Sequence, residues 1–240
     1  MPFNNQVFVR DANTRFHYLF NSNMNDEMGS YNLTATGSPT YTTLRNCMNG
    51  VTINGSSQYG ILTSAGLFSS DTGGTIEAII HPSTSGTNDT IIASCDTGSD
   101  NRFFQVYLRA NGAGLWHVGM QVQNAGAYYN PAGTSNSILR GYKHYVVAQS
   151  NGTAWSFYVN GIAQTVTMFD GTNIGDWFAD VGNRDNLTAG VFLYNGATKL
   201  FYNTGETYEI HYTSTVLTAQ QIKENWYRFV NNGYEQGALA

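Results

Sequence analysis

Apolar and polar residues alternate with a period of two along much of this chain, which predicts an all-β fold. The pattern is sharpest in Lys143–Gly161, KHYVVAQSNGTAWSFYVNG. There His144–Gln149 and Ala154–Val159 flank Asn151-Gly152, and a second pair, Asn160-Gly161, follows at once. Asn-Gly between alternating runs predicts a hairpin, because a type I′ turn needs φ > 0 at both central residues. The stretch reads as two strands of a meander, with Ile162–Met168 supplying the third. In the second strand Trp155, Phe157 and Val159 share a face, and Ser156 and Tyr158 point away.

Phe103–Arg109 and Leu115–Gln123 read as a further hairpin around Asn111-Gly112. Phe104, Val106 and Leu108 share one face with Trp116, Val118, Met120 and Val122, a clean apolar set. Phe103, Gln105, Tyr107 and Arg109 lie opposite, with Leu115, His117, Gly119 and Gln121, a mixture of rings and polar groups. Arg15–Phe20, Gln58–Leu62, Thr75–His81, Thr90–Ser94 and Glu206–Tyr212 are further strands. Gly190–Tyr194 and Lys199–Tyr202 pair around Asn195-Gly196. Asn124–Arg140 and Asp170–Asn186 read as long polar loops, and residues 1–15, with apolar Val7–Val9, as an arm or edge strand. One helix is predicted: Thr218 and Gln221 make a capping box, Ile222, Trp226, Phe229 and Val230 recur at helical spacing, and Gly233 fits the C′ position.

No repeat, linker or low-complexity tract divides the 240 residues. The expectation is one domain over 1–240: an antiparallel two-sheet sandwich core over about 16–216, an N-terminal arm, and a C-terminal helix and tail. Charged residues are only 11%, the net charge is −5, and Lys and Arg form no cluster, so nucleic acid is not an expected partner. No apolar run is long enough to span a membrane, and MPFNNQVFVRDANTRF carries no visible signal peptide. Cys47 and Cys95 lie far apart, and nothing in their spacing argues for a disulfide.

KHYVVAQSNGTAWSFYVNG resembles the W-H-H-V-A-V-x-x-D-G-x-x-x-L-Y-V-N-G segment of laminin-G-like jelly rolls, within the concanavalin A-like lectin/glucanase superfamily. His17–Gly29, Val51–Leu62, Thr75–Pro82 and Glu209–Ile222 resemble further segments of that family in the expected order. The resemblance implies a jelly roll of two curved antiparallel sheets, the front one concave, with carbohydrate or protein binding as the prevailing function. It also implies a structural calcium in many members. Here the Asp expected before Glu209 is Tyr208, so no cofactor is expected; Asp26, with carbonyls near Gly29, is the weak candidate that would contribute to such a site.

Retaining glucanases of this superfamily need two carboxylates on one strand face, as in E-x-D-x-x-E. Glu77 stands alone, and Glu206 and Glu209, three apart, are predicted on opposite faces. The five histidines show no metal-ligand pairing, and no G-x-S-x-G or phosphate-binding Gly-rich motif occurs. No enzyme is therefore expected. Tyr107, Arg109, His117, Gln121 and Tyr158 form a candidate glycan face, if their strands are neighbours in the concave sheet. Rings would stack on a sugar and polar groups would orient it. Tyr128, Tyr129 and Trp177 are the loop aromatics to add.

The function expected from the sequence is a non-enzymatic virion-surface subunit of a bacteriophage, a capsid decoration or fibre-type protein with lectin-like potential. It would associate with itself or with a capsid or tail protein, and its termini could dock on that partner. The alternative is a secreted carbohydrate-binding module or adhesin domain acting outside the cell.

Overall fold

In the computed structural model, which describes residues 7–43, 49–84, 88–99, 101–110, 115–194 and 198–231, the alternating runs become strands of two antiparallel sheets. The first part of the chain gives β1 (Thr14–Tyr18), β2 (Thr34–Thr36), β3 (Thr40–Thr43), β4 (Asn49–Thr52), β5 (Tyr59–Thr63) and β6 (Gly74–His81). The middle gives β7 (Asn88–Cys95), β8 (Arg102–Ala110), β9 (Trp116–Asn124), β10 (Ala127–Tyr129) and β11 (Pro131–Ile138). The meander supplies β12 (His144–Ser150), β13 (Trp155–Val159), β14 (Ile162–Ala163) and β15 (Val166–Met168). Then come β16 (Asn186–Ala189), β17 (Phe192–Tyr194), β18 (Thr198–Leu200), β19 (Glu206–Thr213) and the helix α1 (Ala219–Asn231).

One sheet runs β14-β13-β12-β6-β19-β4-β3, with β1 paired to β19. The other runs β15-β11-β9-β8-β7-β16-β5-β2, with β10 paired to β9. Their inner faces pack together: Ile76, Ala78, Val146, Phe157 and Ile210 from the first meet Phe104, Val106, Val118, Met120 and Leu187 from the second, all buried. The all-β sandwich with one C-terminal helix is thus present as expected.

The meander departs from its expected form in two places. Ser150 pairs with Trp155, so residues 151–154 form a four-residue loop instead of a two-residue turn at Asn151-Gly152. Asn151 Oδ1 holds it by accepting from Thr153 N at 3.0 Å and Ala154 N at 2.8 Å. The two-residue turn is the second pair: Val159 opposes Ile162, and Asn160 and Gly161 have φ of 51° and 76°. Beyond it the expected third strand divides. β14 stays beside β13, whereas β15 crosses to pair with β11 in the other sheet. Part of the expected loop 124–140 is strand as well, β10 and β11.

The outer face of the first sheet is covered by the two ends of the chain. Thr218 caps α1 as expected: its Oγ1 accepts from Gln221 N at 3.2 Å, and Gln221 Oε1 accepts from Thr218 N at 2.9 Å. Thr218→Ala should cost about 1 kcal/mol; a chemical-denaturation midpoint that does not move would show that the cap contributes nothing. Ile222 and Phe229 of this helix are buried against Ile79, Tyr145, Val147 and Tyr208, together with Val7 and Phe8 of the N-terminal segment. Of the expected arm, Val7 and Phe8 are an inner lining and Val9 turns outward, while residues 1–6 and Gly233 lie outside the described residues.

Beneath that cover sits a buried polar cluster. Glu209 Oε2 accepts from Val7 N at 3.2 Å, and its Oε1 accepts from Phe8 N at 3.1 Å and lies 2.7 Å from His17 Nε2. Glu77 accepts from Tyr145 Oη and from Asn225 Nδ2 of α1 at 2.8 Å, and its Oε2 lies 3.0 Å from His211 Nδ1. A bulge between Thr207 and Glu209 puts Glu206 opposite His81 and Glu209 opposite Ile79. The two glutamates thus share the outer face, contrary to the expectation from their spacing, because the extra residue restores the alternation.

Candidate functional site

The outer face of the second sheet carries the mixed set read from β8 and β9. Their register places Arg109 opposite His117, Tyr107 opposite Gly119, Gln105 opposite Gln121 and Phe103 opposite Gln123. Tyr107, Arg109, His117 and Gln121 therefore do lie on one face, because residues two apart along a strand point the same way. They do not form one open surface. Tyr107 is fully buried. Asn130 organises this end: its amide nitrogen donates to Tyr107 Oη at 3.0 Å and to the Met120 carbonyl at 3.2 Å. Its oxygen accepts from Tyr128 Oη at 3.3 Å and Arg109 Nη1 at 3.1 Å. The Arg109 guanidinium also lies 3.9 Å over the Phe169 ring. His117 is 8% exposed, and burial followed by the neighbouring Arg109 charge lowers its pKa. This half of the face is closed: Tyr107, Arg109, Tyr128 and Asn130 bond to one another, and His117 is buried beside them with no partner for its Nδ1 among the described residues.

The other half is open. Phe103, Gln121, Gln123, Tyr128, Phe192, Tyr194, Leu200 and Phe201 line a pocket of about 360 Å³. Sheet alternation supplies its floor from β8 and β9, and the β17–β18 hairpin supplies a wall. Phe103 sits at the centre, 4.9 Å from the Phe192 ring and 6.2 Å from those of Tyr128 and Tyr194; Phe192 in turn stacks on Phe201 at 6.2 Å, nearly parallel. Gln121 and Gln123 are two apart on β9, both half-buried, and their side-chain amides form no hydrogen bond among the described residues. Of the residues singled out from the sequence, Gln121 and Tyr128 reach this pocket.

Others lie elsewhere. Tyr158 is on β13, in the first sheet, half-buried against the cluster under α1, so it shares no surface with Tyr107. Trp177 is fully buried in the core, packed edge-on against Phe104 at 4.9 Å with its indole N–H donating to Tyr212 Oη at 3.2 Å. Tyr129 stacks toward Trp155 at 5.8 Å. Phe192, Tyr194, Leu200 and Phe201 were not singled out. Their signal is the segment VFLYNGATKLFY, which is more apolar on both faces than a hairpin with one solvated side requires.

The carboxylates singled out from the sequence are engaged within the fold. Asp26 accepts from the backbone N–H of His17, Met28, Ser30 and Tyr31 at 2.8–3.2 Å, so the carboxylate organises its own turn and presents no oxygen to a cation. Among the described residues no group of three or more His, Cys, Asp or Glu could hold a metal ion. Glu206 accepts from Tyr208 Oη and lies 3.1 Å from His81 Nδ1, while Glu209 is fully buried. Cys95 is buried with a free thiol; Cys47 lies outside the described residues. Among the described residues no helix is long and apolar enough to cross a membrane.

No protein-family model and no curated protein matches this chain. Solved structures do. Domain 4 of AbnA, a GH43 extracellular arabinanase of Geobacillus stearothermophilus in complex with arabinotriose, superposes with a TM-score of 0.68 at 19% identity, over 90% of this chain and 99% of that one. The CBM40 of the Ruminococcus gnavus IT-sialidase, bound to α2,3-sialyllactose, gives 0.57 at 16% identity, over 72% and 94%. A heptameric pentraxin of Limulus polyphemus gives 0.50 at 17% identity, over 67% and 70%. At these identities the likeness is one of fold: this chain has the two-sheet β-sandwich architecture of those domains.

Proposed function

We propose that this protein is a non-catalytic carbohydrate-binding module, a single domain of the concanavalin A-like group, and that the aromatic pocket beside Gln121 and Gln123 is its glycan site. The observation that carries the reading is that pocket: the half-buried rings of Tyr128, Tyr194 and Phe201, backed by buried Phe103 and Phe192, around two side-chain amides with no hydrogen-bond partner among the described residues. Such a site offers stacking area at low entropy cost and a few oriented polar groups. Three things support it. Two of the solved structures matched over more than nine-tenths of their own length are saccharide complexes, one with arabinotriose and one with α2,3-sialyllactose. The KHYVVAQSNGTAWSFYVNG hairpin, the laminin-G-like feature, folds as framework well away from the pocket. Both glutamates of the outer cluster are engaged in holding the chain's ends.

Of the two settings expected from the sequence, the secreted module draws support from these neighbours, one of them part of an extracellular enzyme. The virion subunit draws none from the fold. A glycan array tests the function: the wild type should bind a defined set of saccharides, and Tyr194→Ala, at a half-exposed ring, should weaken that binding about tenfold or more. No binding to any glycan would overturn the reading.

A further inference from the structure

Every described residue lining the pocket is uncharged: five aromatics, Leu200 and two glutamines. The cations closest to it along the chain are committed elsewhere. Arg102 Nη1 reaches Asp96 Oδ2 at 3.4 Å, and Lys199 Nζ lies 4.9 Å over the Tyr59 ring. Arg109, on the same sheet face, is taken up by Asn130 and Phe169. A carboxylate brought into this pocket would lose water and find no positive partner, which is costly. A neutral sugar meets no such cost. Its C–H face packs on the rings, and its hydroxyls meet amides that each offer two N–H donors and a carbonyl acceptor.

We infer that the pocket is selective for uncharged saccharides and rejects sialylated and uronic ones. This rests on the reading of the site as a glycan site, and it goes against the ligand of one structural neighbour, which is bound to α2,3-sialyllactose. Sharing a fold does not carry a ligand across, because specificity sits in the few side chains of the pocket. At about 360 Å³ the pocket lies near the small end of ligand sites, of roughly 300–1,000 Å³, which suits one or two sugar rings and leaves the rest of a chain outside.

The experiment is calorimetric titration of the full chain with matched pairs: lactose against 3′-sialyllactose, and xylo-, arabino- and gluco-oligosaccharides against oligogalacturonides. Binding of at least one neutral series, with every acidic probe at least tenfold weaker, is the expected result. Gln121→Ala and Gln123→Ala, both half-buried substitutions, should then each weaken the neutral ligand about fivefold or more. Gln123→Arg should narrow the gap between neutral and acidic probes. Tight binding of acidic probes alone would overturn the selectivity while leaving a glycan-binding module. Neutral binding that both glutamine variants leave untouched would overturn the placement. No binding to any probe would overturn the underlying reading together with the inference.

Discussion

Glu209→Ala should cost about 3–5 kcal/mol of folding stability, because it strips the acceptor from several buried polar groups at about 1–3 kcal/mol each. The carboxylate is fully buried and is the acceptor for both backbone N–H groups of Val7 and Phe8, with His17 Nε2 at 2.7 Å. Removing it leaves two buried N–H donors and an imidazole without that acceptor, each a group whose desolvation is no longer compensated. Against a total of roughly 5–15 kcal/mol the loss is large, and the melting temperature should fall by roughly 10 °C in a domain of this size. Hydrogen exchange at the amides of Val7 and Phe8 should accelerate first, because those amides lose their acceptor directly. Unchanged melting with unchanged exchange would show that the N-terminal segment is held by Val7 and Phe8 packing alone. Glu209→Gln retains a carbonyl acceptor, so its loss should be smaller.

The second large effect is a flat-topped dependence of stability on pH. Burial pushes the Glu209 carboxyl up to about 8 and, chiefly by the same cause, Asp89 up to about 7. Burial pushes His17 down to about 3, with the nearby His211 adding to it, and His144 down to about 4. The two raised acids keep protons in the folded state that the unfolded chain has already released. Their contribution is full below the ordinary carboxyl range and is lost as pH rises toward 7 and 8. The two depressed histidines work in reverse: their contribution is full above 6.5 and is lost as pH falls toward 4 and 3. Between about 4.5 and 6.5 the opposing proton counts cancel, so stability is level there. Above 6.5 the two acids titrate, His81, raised by its hydrogen bond to Glu206, works in the same direction, and stability should fall by a few kcal/mol toward pH 8. Below 4.5 the histidines dominate, and it should fall again. Denaturant melts at closely spaced pH values would follow this curve. Glu209→Gln, which has no proton to lose, should flatten the limb between 7 and 8. A stability that climbs steadily from pH 6 to 8 would contradict the assignment.

The outer cover of the first sheet explains why these effects concentrate in one place. A sheet face turned away from the sandwich core would ordinarily be wet, and its polar residues would be solvated. Here the N-terminal segment and α1 bury that face, and the polar residues on it must satisfy one another: Glu77 with Tyr145, His211 and Asn225, and Glu209 with His17 and two backbone amides. The sequence shows these residues as the polar half of an alternating strand. It contains no local mark that a distant helix will close over them.

Much of the architecture is nonetheless local in origin. Phe104, Val106 and Leu108, and Trp116, Val118, Met120 and Val122, are all buried in the core as their alternation requires. The capping box at Thr218 forms for the same reason: its partners are three residues apart. Segments lacking a strong apolar alternation are where the pattern fails. β11 reads as loop because its sequence, PAGTSNSI, is small and polar. Its strand is imposed by β9 and β15 on either side, and Gly133 is needed because a Cβ there would come within 2.8 Å of Phe157 Cβ.

The candidate site shows the same division. Period-two alternation determined from sequence alone that Tyr107, Arg109, His117 and Gln121 share a face, because strand geometry fixes side-chain direction residue by residue. Which sheet a strand joins, and what then covers its face, only the tertiary structure decided. It moved Tyr158 to the opposite sheet, sank Trp177 into the core, closed Tyr107 under Asn130 and raised the β17–β18 hairpin beside Gln121. The physical reason is that pairing partners and covering segments are chosen by contacts between residues far apart in the chain, and a local pattern carries no record of them.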